Sequence, residues 1–211
     1  MNKKYLMFDM DGTLLDSMIC AWCASGPEYA YKVLGYDVPE LSNAFARLSI
    51  KKALYQLADL AEGKEVSLEG FSQVLLEHYL TDVKVKKGVL EFLKLQKDKG
   101  SKMCVITATP KSAAIPALKH LGLYDFFDFV ITYEDCPEGK STPKVFNMAC
   151  DKFGCDISEA AMFEDALYSI KTSTSIGLYT VGVYEDFYKD NQDEIKKLVD
   201  LYLANGFEDL L

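Results

Sequence analysis

The stretch YLMFDMDGTLLDS, residues 5–17, joins a short apolar run to two closely spaced carboxylates, Asp9 and Asp11. The run from Tyr5 to Phe8 is typical of a fully buried strand in a parallel sheet. If the chain stays extended, the period of two puts both carboxylates on one face, and Gly12 then permits a sharp turn. Two like charges this close resist joint ionisation unless a cation joins them or one holds a proton. The stretch therefore indicates a metal site or an acid/base pair rather than a surface turn or a calcium loop, for which too few oxygen ligands follow.

The composition describes an acidic, globular protein. With 211 residues, 49% of them hydrophobic, the chain can bury a substantial core. The formal net charge is −9, and no basic cluster is denser than residues 84–87, which argues against nucleic acid as a partner. No apolar run approaches the roughly 20 residues of a membrane-spanning helix. Because no secretory signal precedes the first strand, we expect a cytoplasmic protein whose six cysteines stay reduced.

Residues 16–83 are predicted to form a helical block without strands. Helices are expected over 18–34, from Pro39 or Glu40 to about Leu60, and over 67–80, with breaks at 35–39 and 61–64. Ser17 is the expected cap of the first helix. Cys20 and Cys23 form a CxxC pair, but no second pair follows at zinc spacing, so we interpret them as small apolar side chains. The block is therefore interpreted as an insertion.

From Val85 onward, helices and strands alternate. Strands are expected over 102–106, 129–132, 160–163 and 179–183, and helices over 89–99, 111–121, 143–153, 167–175 and 190–204. This alternation predicts an α/β fold with a Rossmann-like parallel sheet and helices on both faces. Because the first strand lies before the helical block, the core is predicted to be discontinuous, comprising residues 1–15 and 84–211. Residues 16–83 are then an inserted α-helical cap domain.

The residues that follow the second predicted core strand form a candidate anion site. In open α/β sheets, ligands bind outside the carboxyl ends of the strands. Thr107 follows that strand and offers a hydroxyl donor. The next backbone N–H groups can form a small anion-binding nest.

The segment DMDGTLLDS, residues 9–17, resembles the first motif, DxDGTLxDS, of the haloacid dehalogenase-like (HAD) phosphohydrolases. The resemblance implies the branch of phosphoglycolate phosphatase and β-phosphoglucomutase, which has a helical cap. It also implies that Asp9 attacks phosphorus to form an aspartyl-phosphate. Asp11 is then the acid that protonates the leaving oxygen and the base that activates water. Thr107 corresponds to the phosphate ligand of the second motif, and Ala108, where Asn is common, would bind phosphate through its backbone amide.

The segment GKSTPKVF, residues 139–146, is similar to the family's GKPxPxxF segment. The spacing selects Lys140 as the lysine that offsets charge on the phosphoryl oxygens, with Lys144 as the alternative. Ser141 stands where the family usually has Pro.

The pair Glu164-Asp165 resembles the family's acidic metal motif. The resemblance implies that Mg²⁺ is bound by Asp165, Asp9 and the backbone carbonyl of Asp11, with Glu164 acting through water or outer contacts. Ser169 stands where the family typically has Gly, which leaves the tightness of this turn open.

Arg47 is the only arginine in the chain and falls in a break between predicted cap helices, in the segment 43–49. A guanidinium there can hold a second carboxylate or phosphate of the substrate with two hydrogen bonds, although a solvated helical arginine is the alternative. Lys51, Lys52 and Lys111 are weaker candidates of the same kind.

Together these features predict a Mg²⁺-dependent phosphatase that hydrolyses a small soluble phosphomonoester, with no nucleic-acid or membrane partner. A β-phosphoglucomutase-like mutase is the first alternative. That family carries a His soon after the first motif, whereas residues 18–26 contain none and the histidines of the chain are His78 and His120. A non-catalytic binding protein on the same fold is the second alternative, and the intact motifs argue against it. The sequence leaves open whether the chain is a monomer or a homodimer.

Overall fold

The computed structural model of the protein describes residues 3–39 and 41–211. Within these ranges lie eight strands: β1 (Tyr5–Phe8), β2 (Leu15–Asp16), β3 (Lys84–Val85), β4 (Lys102–Ile106), β5 (Phe129–Ile131), β6 (Ala160–Glu164), β7 (Tyr179–Val183) and β8 (Leu201–Leu203). Six of them form a parallel sheet in the order β5-β4-β1-β6-β7-β8, and β2 pairs with β3 in an antiparallel ribbon. Strand β1 therefore lies in the middle of the sheet, between β4 and β6.

The described ranges also contain nine α-helices: α1 (Ala24–Leu34), α2 (Leu41–Arg47), α3 (Ile50–Leu60), α4 (Leu68–Thr81), α5 (Val89–Asp98), α6 (Lys111–His120), α7 (Lys144–Phe153), α8 (Leu167–Ser175) and α9 (Gln192–Leu198). A π-helical turn (Met18–Cys23) precedes α1, and 3₁₀ turns cover Tyr124–Phe126, Gly139–Ser141, Ile157–Glu159, Asp186–Asn191 and Gly206–Leu210. Among the described residues, no helix combines the length and the apolar character that crossing a membrane requires.

Both faces of the sheet are covered. Along β1 the side chains alternate, so that Leu6 and Phe8 belong to one apolar cluster and Met7 to the other. Phe8 stacks on Phe163 of β6 with ring centroids 4.7 Å apart, and Phe163 stacks on Phe207 at 5.5 Å. Each fully buried Phe contributes about 1.5–3 kcal/mol to folding. This confirms the predicted α/β fold, and it fixes the point at which the residues after Phe8 leave the sheet.

The last predicted helix, 190–204, is wrong over its second half. Helix α9 ends at Leu198, and β8 forms a sixth strand at the edge of the sheet beside β7. Asp200 makes this pairing possible, because its backbone N–H donates to the Thr180 carbonyl (3.0 Å) and its carboxylate accepts from the Thr180 N–H (2.8 Å). These partners are distant in the sequence, so a local pattern does not contain the contact that decides this strand.

Helices α1 to α4 lie between β2 and β3, so the chain leaves and rejoins the sheet region through this ribbon. The ribbon is absent from the sequence prediction because two residues carry no detectable period. The predicted helix 18–34 is divided into the π-helical turn and α1, and the helix predicted to end near Leu60 is divided at Leu48 and Ser49 into α2 and α3. Its alternative start, Glu40, lies outside the described residues, as do residues 1 and 2.

Candidate active site

The carboxyl ends of β1, β4 and β6 meet at one edge of the sheet. Asp9 and Asp11 follow β1, Thr107 follows β4, and Asp165 follows β6. The Asp9 N–H donates to a β6 carbonyl (3.0 Å), which extends the pairing of the two strands by one residue. Lys140 comes from the 3₁₀ turn after β5. All five side chains are buried, so their charges interact with little screening by water.

Lys140 lies between two carboxylates. Its Nζ is 2.6 Å from Asp9 Oδ1 and 2.7 Å from Glu164 Oε2. Burial disfavours the charged ammonium, but the two carboxylates raise the pKa of Lys140 well above its usual value. Burial and then the charge of Glu164 raise the pKa of Asp9 to about 8, against the opposing effect of Lys140. The alternative lysine, Lys144, instead forms an exposed ion pair with Glu138 (2.9 Å).

Protein donors surround the carboxylate of Glu164. Its Oε1 accepts from the backbone N–H groups of Asp165 (3.1 Å) and Ala166 (3.0 Å), and its Oε2 accepts from Ser169 Oγ (2.7 Å) beside the Lys140 contact. Burial opposes ionisation, but Lys140 and these donors lower the pKa of Glu164. Glu164 therefore holds Lys140 in place. Ser169, which stands where the family typically has Gly, adds a hydroxyl to that arrangement.

Asp165 has one satisfied and one unsatisfied oxygen. Its Oδ1 accepts from Thr13 Oγ1 (3.0 Å), whereas its buried Oδ2 has no hydrogen-bond partner among the residues that the structure describes. Burial, followed by the charges of Asp9 and Glu164, raises the pKa of Asp165 well above its usual value. A buried oxygen of this kind costs free energy unless it is protonated or binds a cation.

The carboxylates of Asp9, Glu164 and Asp165 fit a divalent metal ion. Each offers an oxygen, and these atoms lie within 4.8 Å of one another. Three carboxylates against one ammonium, that of Lys140, leave two negative charges, which a divalent cation offsets. Carboxylate oxygens are the ligands that Mg²⁺ prefers. The unpartnered Asp165 Oδ2 is therefore the carboxylate oxygen of this group that a bound cation would satisfy.

Three hydroxyl groups surround the carboxylate of Asp11. Its Oδ1 accepts from Ser17 Oγ (2.6 Å) and from the Tyr79 hydroxyl (2.5 Å), and its Oδ2 accepts from Thr109 Oγ1 (2.6 Å). Ser17 is the N-cap residue of the π-helical turn, as predicted, but its hydroxyl is turned to Asp11 and makes no capping hydrogen bond. Burial and then the charge of Asp11 raise the pKa of Tyr79 well above its usual value, so the phenol stays neutral and can donate.

The sequence patterns did not identify Thr109 and Tyr79 as neighbours of Asp11. Thr109 stands two residues after Thr107, just beyond the end of β4, and the bend there lets its N–H donate to the Thr107 hydroxyl oxygen (3.0 Å). That spacing is a signal that could have identified it. Tyr79 lies on α4, one tyrosine among 13 in the chain, and nothing in its local context distinguishes it.

Thr107 keeps its own proton available. Its Oγ1 accepts from the Thr109 N–H (3.0 Å), and its backbone N–H donates to the Ile131 carbonyl (2.9 Å). The O–H of Thr107 is left to donate elsewhere, and Ala108 lines the adjacent cavity. Their predicted roles in binding phosphate remain predictions.

Lys86 stabilises the turn at Gly12 and is also absent from the sequence prediction. Its Nζ donates to the Gly12 carbonyl (2.5 Å) and pairs with Glu185 Oε2 (2.5 Å). Gly12 has φ of +79°, and a Cβ added there would lie 2.1 Å from Asp165 Oδ2. Only glycine therefore fits between this turn and the carboxylate of Asp165.

A cavity of about 200 Å³ opens above these groups. Asp9, Asp165 and Lys140 line it together with side chains of the inserted helical segment. Arg47 also lines the cavity, and its guanidinium carbon lies 4.6 Å from the centroid of the Phe187 ring. The other predicted substrate-binding cations, Lys51, Lys52 and Lys111, are exposed on the surface.

The fold and the site together define a Rossmann-like α/β protein whose carboxylate-rich centre lies at the carboxyl ends of the parallel strands. The family model described as haloacid dehalogenase-like hydrolase matches residues 6–183. The chain belongs to this family of hydrolases. The match confirms the predicted resemblance and the prediction that the protein is an enzyme.

Relatives of established name are similar along most of the chain. The "Pyrophosphatase PpaX" of Bacillus pumilus is 26% identical over 217 residues, which covers 95% of each chain. The "Phosphoglycolate phosphatase" of Thiobacillus denitrificans is 27% identical over 184 residues, covering 82% of this chain and 80% of the relative.

Solved structures share the fold. A predicted phosphoglycolate phosphatase from Haemophilus somnus superposes with a TM-score of 0.79 at 22% identity, covering 100% of this chain and 97% of the other. A β-phosphoglucomutase from Clostridium difficile gives a TM-score of 0.75 at 22% identity, covering 98% of this chain and 92% of the other. These likenesses concern the fold alone.

Proposed function

We propose that the protein is a Mg²⁺-dependent phosphomonoesterase that works through an aspartyl-phosphate on Asp9. The observation that carries the proposal is a buried carboxylate beside a buried ammonium: Asp9 Oδ1 lies 2.6 Å from Lys140 Nζ. The unpartnered Asp165 Oδ2 nearby supports a cation at the same place. The names of the two relatives, a pyrophosphatase and a phosphoglycolate phosphatase, agree with phosphate chemistry.

The reaction has two steps that balance. In the first, a carboxylate oxygen of Asp9 forms a bond to phosphorus, the bond between phosphorus and the leaving oxygen breaks, and Asp11 gives its proton to that oxygen. In the second, Asp11 takes a proton from water, the resulting hydroxide attacks phosphorus, and the bond to Asp9 breaks. Inorganic phosphate leaves and both aspartates return to their starting state.

The surrounding residues bind the phosphoryl group and offset its charge. The Lys140 ammonium faces Asp9 and would attract the phosphoryl oxygens, and Glu164 holds it there. The Thr107 hydroxyl and the Ala108 N–H are donors at the neighbouring strand end. We propose Asp9, Asp165 and the backbone carbonyl of Asp11 as metal ligands, with Glu164 in an outer position. When bound, Mg²⁺ supplies positive charge that lets two anions approach each other.

We further propose that residues 16–83 form a cap over a core made of residues 1–15 and 84–211. The cavity of about 200 Å³ between them suits a small ester such as a sugar phosphate or a phosphoglycolate-like acid. Arg47, which lines this cavity, carries a charge that fits a second anionic group of such a substrate. Closure of a cap would exclude water from the phosphoryl group during the first step.

The test is phosphate release from a panel of phosphorylated metabolites with Mg²⁺, including pyrophosphate, phosphoglycolate and glucose phosphates. We expect the wild type to release phosphate and both Asp9→Asn and Asp11→Ala to lose that activity. Asp98→Asn, which removes one exposed carboxylate at the end of α5, is the charge-matched control and should behave as the wild type.

Two outcomes would contradict the proposal. If glucose phosphates interconvert without release of phosphate, the protein is a mutase. If no ester reacts and Asp9→Asn keeps a binding function, the protein is not catalytic.

A further inference from the structure

The hydroxyl of Tyr79 is buried at the contact between the inserted helical segment and the end of the sheet. Tyr79 lies on α4, which packs against α6, and its side chain is fully buried. The hydroxyl is 2.5 Å from Asp11 Oδ1 and also lies 3.2 Å from Trp22 Nε1 and 3.2 Å from Thr109 Oγ1. Tyr79 and Trp22 belong to the inserted segment, whereas Asp11 and Thr109 follow strands of the sheet.

The direction of each hydrogen bond follows from counting protons. The indole N–H of Trp22 can only donate, so the Tyr79 oxygen accepts from it. Thr109 places its single proton on Asp11 Oδ2 (2.6 Å). The one proton of Tyr79 is directed to Asp11 Oδ1, because this acceptor is nearer (2.5 Å) than Thr109 Oγ1 (3.2 Å).

This arrangement fixes the orientation of the Asp11 carboxyl group. Its Oδ1 is held by the Tyr79 hydroxyl (2.5 Å) and its Oδ2 by the Thr109 hydroxyl (2.6 Å), so the group is restrained against rotation about its Cβ–Cγ bond. A general acid must lie within hydrogen-bond reach of the leaving oxygen, and a misplacement of about 1 Å costs about 100-fold in rate. Loss of the Tyr79 hydroxyl therefore removes one of the contacts that aim the acid.

We propose that Tyr79 is a positioning residue that orients Asp11 for proton transfer to the leaving group. The inference rests on the proposed phosphatase function. It goes further, because it makes the acid dependent on a side chain of the inserted segment. The acid is then complete only when α4 is packed against the end of the sheet.

The experiment compares two esters that differ in their need for an acid. The leaving group of p-nitrophenyl phosphate is stable as an anion, whereas an alkyl phosphate from the panel needs a proton on its leaving oxygen. The ratio of kcat/KM for the two esters reports on proton transfer in the first step. For Tyr79→Phe we expect kcat/KM to fall about 10-fold for the alkyl ester and less than about 2-fold for the aryl ester, because a positioned acid contributes about 10²–10⁴-fold in all.

Tyr29→Phe is the matched control. The Tyr29 hydroxyl also lies in the inserted segment and also makes two hydrogen bonds, accepting from the Ser67 N–H (2.8 Å) and donating to the Ser67 carbonyl (3.0 Å). It has no contact with Asp11 in the described hydrogen-bond network, so its loss should leave the ratio of the two esters unchanged. Asp11→Asn removes the acid itself, so it sets the upper limit for the change in the ratio of kcat/KM between the two esters.

Each outcome supports or overturns the inference. A changed ratio in Tyr79→Phe with an unchanged ratio in Tyr29→Phe supports it. An equal loss on both esters in Tyr79→Phe, while Asp11→Asn slows the alkyl ester selectively, overturns it and leaves the phosphatase function intact. If the wild type hydrolyses neither ester, the proposed function fails and the inference fails with it. Should Tyr79→Phe not fold, Trp22→Phe, which removes the hydrogen bond that Trp22 donates to the Tyr79 oxygen, must change the ratio in the same direction or the inference is wrong.

Discussion

Replacing Gly12 by alanine tests the geometry of the proposed metal site. Gly12 has φ of +79°, and an added Cβ would lie 2.1 Å from Asp165 Oδ2 and 2.8 Å from its Cγ. Ordinary van der Waals contact begins at 3.4 Å, so the carboxylate must retreat by about 1.3 Å. It has little room to do so, because Asp165 is buried and Thr13 Oγ1 is bonded to its other oxygen (3.0 Å).

The expected loss follows from that displacement. Misplacing a catalytic group by about 1 Å costs about 100-fold in rate, so we expect kcat/KM for a phosphate ester to fall by at least about 100-fold. Half-saturation by Mg²⁺ should shift to higher concentration, since Asp165 no longer reaches its position. The left-handed backbone adds a strain of about 1–2 kcal/mol for any residue with a side chain. For a chain of this size that strain lowers Tm by roughly 2–8 °C.

Gly122→Ala separates the strain from the collision. Gly122 has φ of +70°, and an added Cβ there meets nothing within 4 Å. The Tm of Gly122→Ala should therefore fall by a similar amount in a melting experiment. Its kcat/KM should equal that of the wild type in a phosphate-release assay over a Mg²⁺ series. The reasoning is refuted if Gly12→Ala keeps wild-type activity and Mg²⁺ dependence, or if Gly122→Ala loses as much activity.

Three further predictions concern the charges around the site. Lys140→Met leaves the buried carboxylates of Asp9 and Glu164 without their cation, so we expect the free energy of unfolding, measured with urea, to fall by about 3–5 kcal/mol. An unchanged free energy of unfolding would contradict the role of this lysine. The pKa of Asp9 is raised from 3.8 to about 8 in the folded protein, so its contribution to stability is complete below the lower value and is lost as pH rises through the upper one. In EDTA, the Tm of the wild type should therefore fall more steeply between about pH 5 and pH 8 than the Tm of Asp9→Asn. Saturating Mg²⁺ should reduce this difference in slope. Equal slopes in EDTA would rule out the contribution of Asp9 to the pH dependence of stability. Lys86→Met removes the donor to the Gly12 carbonyl and the partner of buried Glu185. It should therefore lower the free energy of unfolding by about 1–3 kcal/mol and weaken activation by Mg²⁺. A loss of stability with unchanged Mg²⁺ dependence would exclude a role at the Gly12 turn.

The central strands were predictable because their patterns are local. Strands buried on both faces are continuous apolar runs, and the helices between them end at glycines, so the α/β alternation is visible without any contact information. The short elements at the edges were not. Strand β8 depends on Asp200 meeting Thr180, and the β2–β3 ribbon depends on Leu15 meeting Val85. Neither contact can be predicted from the local sequence, because the partners are distant along the chain.

The charged residues of the site were predictable for a related reason. Asp9, Thr107 and Asp165 each directly follow a strand of the sheet, and the carboxyl ends of parallel strands necessarily lie at one edge. Motif spacing then selected Lys140 over Lys144. The bonds that Glu164 makes were not predictable, because Ser169 reaches it only through the geometry of the turn into α8.

The amino-acid sequence by itself determined the class of fold, the family and the set of charged groups, because strand periodicity and motif spacing are properties of neighbouring residues. Only the tertiary structure decided what surrounds Asp11. Ser17 is near it in sequence, Thr109 comes from an adjacent strand, and Tyr79 comes from a helix 68 residues further along the chain. The position of the Tyr79 hydroxyl follows from how α4 buries its apolar face against α6. Such packing depends on the summed burial of residues that are distant along the chain, and no local pattern records it.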